Sequence, residues 1–264
     1  MRRFLAVPLL TGALLLAACS DTADSAAPSA TSPSASAAAP SPTAPAPDTR
    51  DDLTVVKEAF DRSFAARKFG MSVEISAGGT HVAKIDASLD LEADALRMTM
   101  MTDEYQQLLK IGDEIFIKNA DEDVFVRVEV GKLRPGSPLG GSFDLTQHSG
   151  ILGGVVAARK VEEKIGTRIY EGTADLRKAV AAAPPESRKS MEATLRLARD
   201  AEAVPFRLIA DDEGRLTSLA YEIETAQGGV RTLIRMNNRG AAAPLQRPEP
   251  DQVKDATAEQ YAVL

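Results

Sequence analysis

The side chains able to do chemistry are few, and their spacing does not assemble a catalyst. Gly140-Gly141-Ser142-Phe143-Asp144 comes within one residue of a G-x-S-x-G nucleophile elbow, with His148 shortly after it. The fifth position is aspartate, and no strand-turn-helix pattern flanks the serine, so a serine hydrolase built on Ser142 and His148 is only a remote alternative. His81 is the one other histidine and falls within an alternating strand pattern, with neither an H-E-x-x-H spacing nor a cysteine pair to make it a metal ligand. Asp121-Glu122-Asp123 and Asp211-Asp212-Glu213-Gly214 are acidic, but they lack the ligand spacing of a calcium loop and read as solvated turns. Glu162 and Glu163 are neighbours on a strand and point to opposite faces, so they cannot share acid–base work. Gly153-Gly154 is not followed by Lys-Ser/Thr, which excludes a phosphate loop. The reading assigns no catalytic residue, no metal ligand and no cofactor.

One reactive group remains, the thiol of Cys19, the only cysteine in 264 residues. Arg2 and Arg3 precede an almost unbroken apolar run from Phe4 to Ala18, and Leu16-Ala17-Ala18-Cys19 closes it. The run is shorter than the roughly 20 residues that span a bilayer, so it reads as a cleaved signal segment over 1–18. L-A-A-C matches the lipobox of bacterial lipoproteins, in which the cysteine is diacylglycerol-modified and becomes the acylated (palmitate-bearing) N-terminus. A free unpaired thiol in an oxidising compartment is the poorer account of this cysteine. The expected location is the cell membrane, lipid-anchored and facing the extracytoplasmic side. Without Arg2 and Arg3 the chain keeps 29 of its 31 basic residues against 38 acidic ones, a formal charge of −9. That balance argues against nucleic acid and against a polybasic membrane patch, leaving the acyl chains as the membrane contact.

Residues 19–50 hold the acylated cysteine and an Ala/Ser/Thr/Pro stretch without large apolar side chains, which reads as a disordered tether. Residues 51–240 are expected to form one α+β domain, and 241–264 an Ala/Pro-bearing C-terminal extension on the surface. Asp51 and Asp52 can cap a helix whose Leu53, Val56, Phe60 and Phe64 share a face. From Met71 onward the pattern turns to period two, broken by Gly78-Gly79, Gly112-Asp113, Gly166 and Gly228-Gly229. Two further helices are read around Pro184-Pro185. The count is about eleven strands and three helices without βαβ alternation: a large antiparallel sheet with helices on one face.

One hairpin suggests its own register. Setting Ile115 opposite Val126 and Ile117 opposite Val124 pairs Glu114 with Arg127, Phe116 with Phe125 and Lys118 with Asp123. The Ile/Val face would then be covered, with Phe116 and Phe125 together on the outer face. Gly131 to Gly154 is long, rich in glycine and carries Pro135 and Pro138, the composition of a mobile functional loop.

Three phrases carry a family resemblance: Ile111-Gly-Asp-Glu-Ile-Phe-Ile-Lys118, Lys164-Ile-Gly-Thr-Arg-Ile-Tyr-Glu-Gly-Thr-Ala-Asp-Leu176, and Val204-Pro-Phe-Arg-Leu-Ile-Ala-Asp-Asp-Glu-Gly-Arg-Leu216. With the lipobox and tether, the chain resembles the actinobacterial LppX/LprAFG-type cell-envelope lipoproteins, which share the LolA fold. Members carry a tryptophan near the position of Phe125, and this chain has no tryptophan. The resemblance implies a curved half-barrel sheet, covered on its concave face by helices, with an apolar cavity between. It implies a non-enzymatic protein that binds, and in some members shuttles, a lipid or other apolar ligand. Met98, Met100, Ile115, Ile117, Val124, Val126 and Val128 are the expected ligand-binding face. Leu139, Phe143, Leu145, Ile151 and Leu152 are the expected apolar lip of a gate. Shuttling would require an envelope transporter as partner, for which the sequence has no signal. The alternative is a surface-displayed interaction or sensor module with a filled core and no ligand cavity.

Overall fold

The computed structural model describes residues 50–102, 104–134, 137, 145–237, 240 and 244–263. Cys19, the expected signal and the expected tether up to residue 49 lie outside them, as do Leu139, Ser142 and Phe143. Helix α1 (Asp52–Phe64) leads into six strands, β1 (Lys68–Ala77), β2 (Thr80–Asp90), β3 (Ala95–Met101), β4 (Tyr105–Ile111), β5 (Glu114–Asn119) and β6 (Phe125–Glu129). Short 3-10 helices at Val130–Lys132 and Leu145–Gly154 precede β7 (Val155–Lys164) and β8 (Thr167–Ala174). Helices α2 (Leu176–Ala182) and α3 (Pro185–Leu197) then interrupt the strands. The chain resumes with β9 (Val204–Ala210), β10 (Leu216–Thr225) and β11 (Gly228–Asn237), and ends in β12 (Val253–Asp255) and α4 (Ala258–Val263).

All twelve strands form one sheet in the order β12-β6-β5-β4-β3-β2-β1-β11-β10-β9-β8-β7. It is two antiparallel meanders, β1–β6 and β7–β11, joined edge to edge where β1 pairs with β11 from Gly70↔Asn237 to Ala77↔Val230. The sheet is curved and does not close on itself. This is the expected fold class.

Local chemistry explains the elements. Asp51 caps α1, its Oδ1 accepting from the Thr54 N–H at 3.0 Å, and Asp175 caps α2, accepting from the Arg177 N–H at 2.8 Å. Both satisfy donors that a helix start otherwise leaves unpaired. Pro185 sits in the first turn of α3, where its missing N–H costs nothing. Gly112, at φ +56°, opens the two-residue loop that sets Ile111 opposite Glu114.

Alternation then sorts the side chains. Phe69, Met71 and Val73 of β1 are buried toward the helices, and α1 covers them with Val56, Ala59 and Phe60. That main core runs over β1, β2 and β7–β11. A second cluster, Met98, Leu108, Ile115, Ile117, Val126 and Val128, occupies β3–β6. There the cover is Leu133 together with Ala256 and Tyr261 from the C-terminal segment.

The β5–β6 register differs from the expected one by two residues. Ile115 lies opposite Val128, Ile117 opposite Val126 and Phe116 opposite Arg127. An even shift keeps every side chain on its expected face, so Phe116 and Phe125 still share one. The tip is longer than four residues, which leaves Val124 outside the strand. Lys118 Nζ donates to the Asp123 carbonyl at 3.2 Å and lies 5.6 Å above the Phe125 ring. Phe116 is also buried, at 2% exposure, and not part of an open outer face. The C-terminal segment, read as running over the surface, supplies the twelfth strand by pairing in parallel with β6.

Candidate functional site

Helix α3 has one buried apolar residue, Met191, because its other positions are largely charged or small. Between it and the inner face of β1, β10 and β11 is a cavity of about 270 Å³. Ile75, Ile223 and Val230 form its sheet wall, and Met191, Leu176 and Ile151 close it from the helical side. Tyr221, Thr232, Ser190 and Thr194 add hydroxyls. Burial pushes the Tyr221 phenol above its ordinary pKa, and a hydrogen bond with Thr232 opposes that shift. The phenol is therefore neutral at physiological pH, and the cavity is uncharged and mainly aliphatic. Its lining is six apolar side chains and four hydroxyl-bearing ones.

The 3-10 helix Leu145–Gly154 is one wall of this space. Ile151 faces the cavity, whereas Leu152, Gly150 and Gly153 line a neighbouring cleft of about 390 Å³ beside Phe60, Phe64 and Pro184. Its C-terminal end is fixed. The Asp175 N–H donates to the Gly154 carbonyl at 2.8 Å, and a Cβ at Gly154 would stand 2.2 Å from the Asp175 carbonyl oxygen. Only glycine allows this approach.

The expected ligand face is gathered elsewhere. Met98, Ile115, Ile117, Val126 and Val128 are buried together on β3–β6, Met100 is half-buried beside them, and Val124 is half-buried in the hairpin tip. None of the seven lines the cavity. Of the expected gate residues, Ile151 and Leu152 are packed into the main core at 3% and 2% exposure. Leu145 begins the 3-10 helix, and Leu139 and Phe143 lie outside the described residues. Sequence reasoning missed Ile223, Val230 and Met191 as site residues: the first two pair with each other across the β10–β11 hairpin, and Met191 comes to them from a helix. Their period-two and period-three patterns showed a buried face but not what it meets.

A wider groove of about 750 Å³ lies on the opposite, polar face of the sheet, floored by Ala157, Thr173 and Ala220 and flanked by Arg159, Arg207 and Arg231. Arg159 and Arg207 both pair with Glu171, at 3.4 and 3.0 Å. Its charges do not suit an apolar ligand. The acidic turn at Asp211 is closed by its own carboxylate, which accepts from the Glu213 and Arg215 N–H groups. Among the described residues no three of His, Cys, Asp and Glu gather as a metal site, and no helix is long and apolar enough to cross a membrane.

Among solved structures, the lipoprotein LppX of Mycobacterium tuberculosis is 13% identical, with a TM-score of 0.45 over 74% of this chain and 97% of that one. The chain is similar to LppX in fold. MucB in complex with MucA(peri) is 16% identical with a TM-score of 0.32, over 74% of this chain and 59% of that one. An uncharacterized conserved protein of Thermus thermophilus is 9% identical with a TM-score of 0.33, over 74% of this chain and 96% of that one. At these identities the likeness is one of fold alone. No family model and no curated protein matches the chain.

Proposed function

We propose that this chain is a membrane-anchored lipoprotein that binds one acyl chain, or an apolar ligand of that size, beneath α3. The observation that carries the reading is the aliphatic cavity of about 270 Å³ between α3 and the β1–β11–β10 face. That volume is near the lower end of ligand pockets, about 300–1,000 Å³, and suits one chain better than a whole lipid. Each methylene taken from water contributes about 0.8 kcal/mol before ordering costs, so no polar chemistry is needed to hold the chain. Cys19 supplies the anchor in this reading. The 3-10 wall is the entrance, because moving Ile151 and Leu152 would join the cavity to the cleft beside Phe60 and Phe64. A sensor module with no ligand cavity is the second reading, and the pocket beneath α3 favours the first over it.

The test is mass spectrometry, under non-denaturing conditions, of the full chain purified from its host membrane. Wild-type protein should carry a non-covalent lipid. Ile223→Trp, which fills the cavity, should be free of it while keeping its circular dichroism spectrum. A wild-type protein without bound lipid, and without uptake of added fatty acid, would overturn the proposal.

A further inference from the structure

We infer that the C-terminal segment, residues 244–263, is a releasable strap closing a second apolar site on β3–β6. The inference rests on the acyl-binding reading for its ligand class and on separate observations for its location. The helices α1–α3 cover the main core, whereas Met98, Leu108, Ile115, Ile117, Val126 and Val128 form a cluster of their own. Their exposure is at most 8%, and the partly buried residues over them include Ala256 and Tyr261 of the strap. Removing the strap would uncover this contiguous aliphatic face, of the same chemistry as the cavity beneath α3.

The strap is held by few buried contacts. Of residues 244–262 not one is buried. Its strand pairs with β6 at three positions only, Val253↔Phe125, Lys254↔Val126 and Asp255↔Arg127, in the one parallel pairing of the described sheet. Parallel pairs are the less stable kind. Besides the packing of Ala256 and Tyr261 and the Ala256 N–H bond to the Arg127 carbonyl, the remaining links are polar. Arg127 Nη2 pairs with Asp255 Oδ1 at 2.7 Å, Arg247 pairs with Glu114, and Lys254 stands 3.5 Å from Glu122. Tyr261 Oη accepts from the Glu129 N–H at 2.8 Å, with Lys132 Nζ 6.0 Å above its ring. The Arg127–Asp255 and Lys254–Glu122 pairs are partly open to solvent and screened by salt, whereas Arg247 meets a buried Glu114 oxygen. Segments with few buried contacts open first in the native state. The second site is thus shut by a latch that salt, or a ligand competing for the aliphatic face, would loosen.

Amide hydrogen exchange on the full chain tests the latch directly. Residues 253–256 should exchange at least tenfold faster than the amides of β5, and faster again in 1 M NaCl. Slow exchange there, unchanged by salt, overturns the strap whatever any ligand does. The site is tested with the double variant Arg127→Cys/Asp255→Cys in a Cys19→Ser background, where the paired positions can form a disulfide across β6 and β12. With cis-parinaric acid as probe, the oxidised form should bind about half as much as the reduced form. Equal uptake in both forms overturns the second site and leaves the cavity beneath α3 standing. Uptake in neither form overturns the acyl-binding reading and the second site together.

Discussion

Arg127 reaches Glu114 on a diagonal, Nη1 to Oε1 at 3.3 Å, although the residue directly opposite Arg127 is Phe116. Diagonal neighbours on a sheet face are farther apart than direct ones but within reach of long side chains. The charge pair is therefore compatible with two registers and selects neither. What the hairpin requires is that Ile115, Ile117, Val126 and Val128 stay inside. Ile115→Asp or Val128→Asp should lower stability by about 3 kcal/mol or more, since the carboxylate is buried without a partner. Lys118→Ala, at the half-open tip, should stay within about 0.5 kcal/mol. Urea titrations of the three variants measure the difference.

Gly154 tests the wall of the cavity. A methyl group there would stand 2.2 Å from a backbone carbonyl and 2.8 Å from the Ala179 nitrogen, neither of which is the end of a flexible side chain. Gly154→Ala should cost about 2–4 kcal/mol through overpacking and displacement of α2. A thermal midpoint within a degree of wild type would mean that α2 yields without cost.

Tyr221 makes stability depend on alkaline pH. Its phenol pKa is raised from 10.0 by burial, and that of Tyr170 is raised for the same first reason. The folded protein keeps these protons where the unfolded chain has begun to lose them, so it binds more protons than the unfolded state. Stability is then intact below about pH 10 and falls as pH rises through the raised values. Tyr221→Phe should flatten part of that fall, leaving the share due to Tyr170. Denaturation midpoints at pH 8 and pH 11 compare the two proteins.

Cys19 is tested by location. Cys19→Ser should move the protein from the membrane fraction to the soluble one without changing the unfolding of the domain. Retention of the variant in the membrane would identify another anchor.

The meanders were legible because glycine turns and period-two runs are local signals, as at Gly112 between Ile111 and Glu114. Register was legible only to within an even shift, because Ile115 opposite Val126 and Ile115 opposite Val128 bury the same face. The β1–β11 junction was not legible, since nothing near Val73 names Ile234 as its partner. The last strand was missed for a different reason. Val253–Asp255 has one apolar residue, and its pairing depends on Arg127 and Tyr261 contacts that exist only in the folded sheet. The cavity depends on how thinly α3 packs, which follows from the volume of Met191 against the curvature beneath it and from no pattern in the chain.

The junction between the two meanders also governs the order of assembly. Glu74 and Arg235, ion-paired across it at 2.6 Å, are separated by 161 positions in the chain. Closing so long a loop is entropically costly and slow, so neighbouring hairpins should form first. A chain delivered from its N-terminus cannot close this junction until Asn237 has emerged. Until then β1 is an open edge beside the apolar surface that α1 covers. During the first part of that interval, before Leu176–Leu197 has emerged, α1 is already synthesised, adjacent in sequence and available to shield it. Destabilising α1 should therefore raise aggregation during refolding more than it lowers equilibrium stability, a separation that dilution refolding at several protein concentrations would reveal.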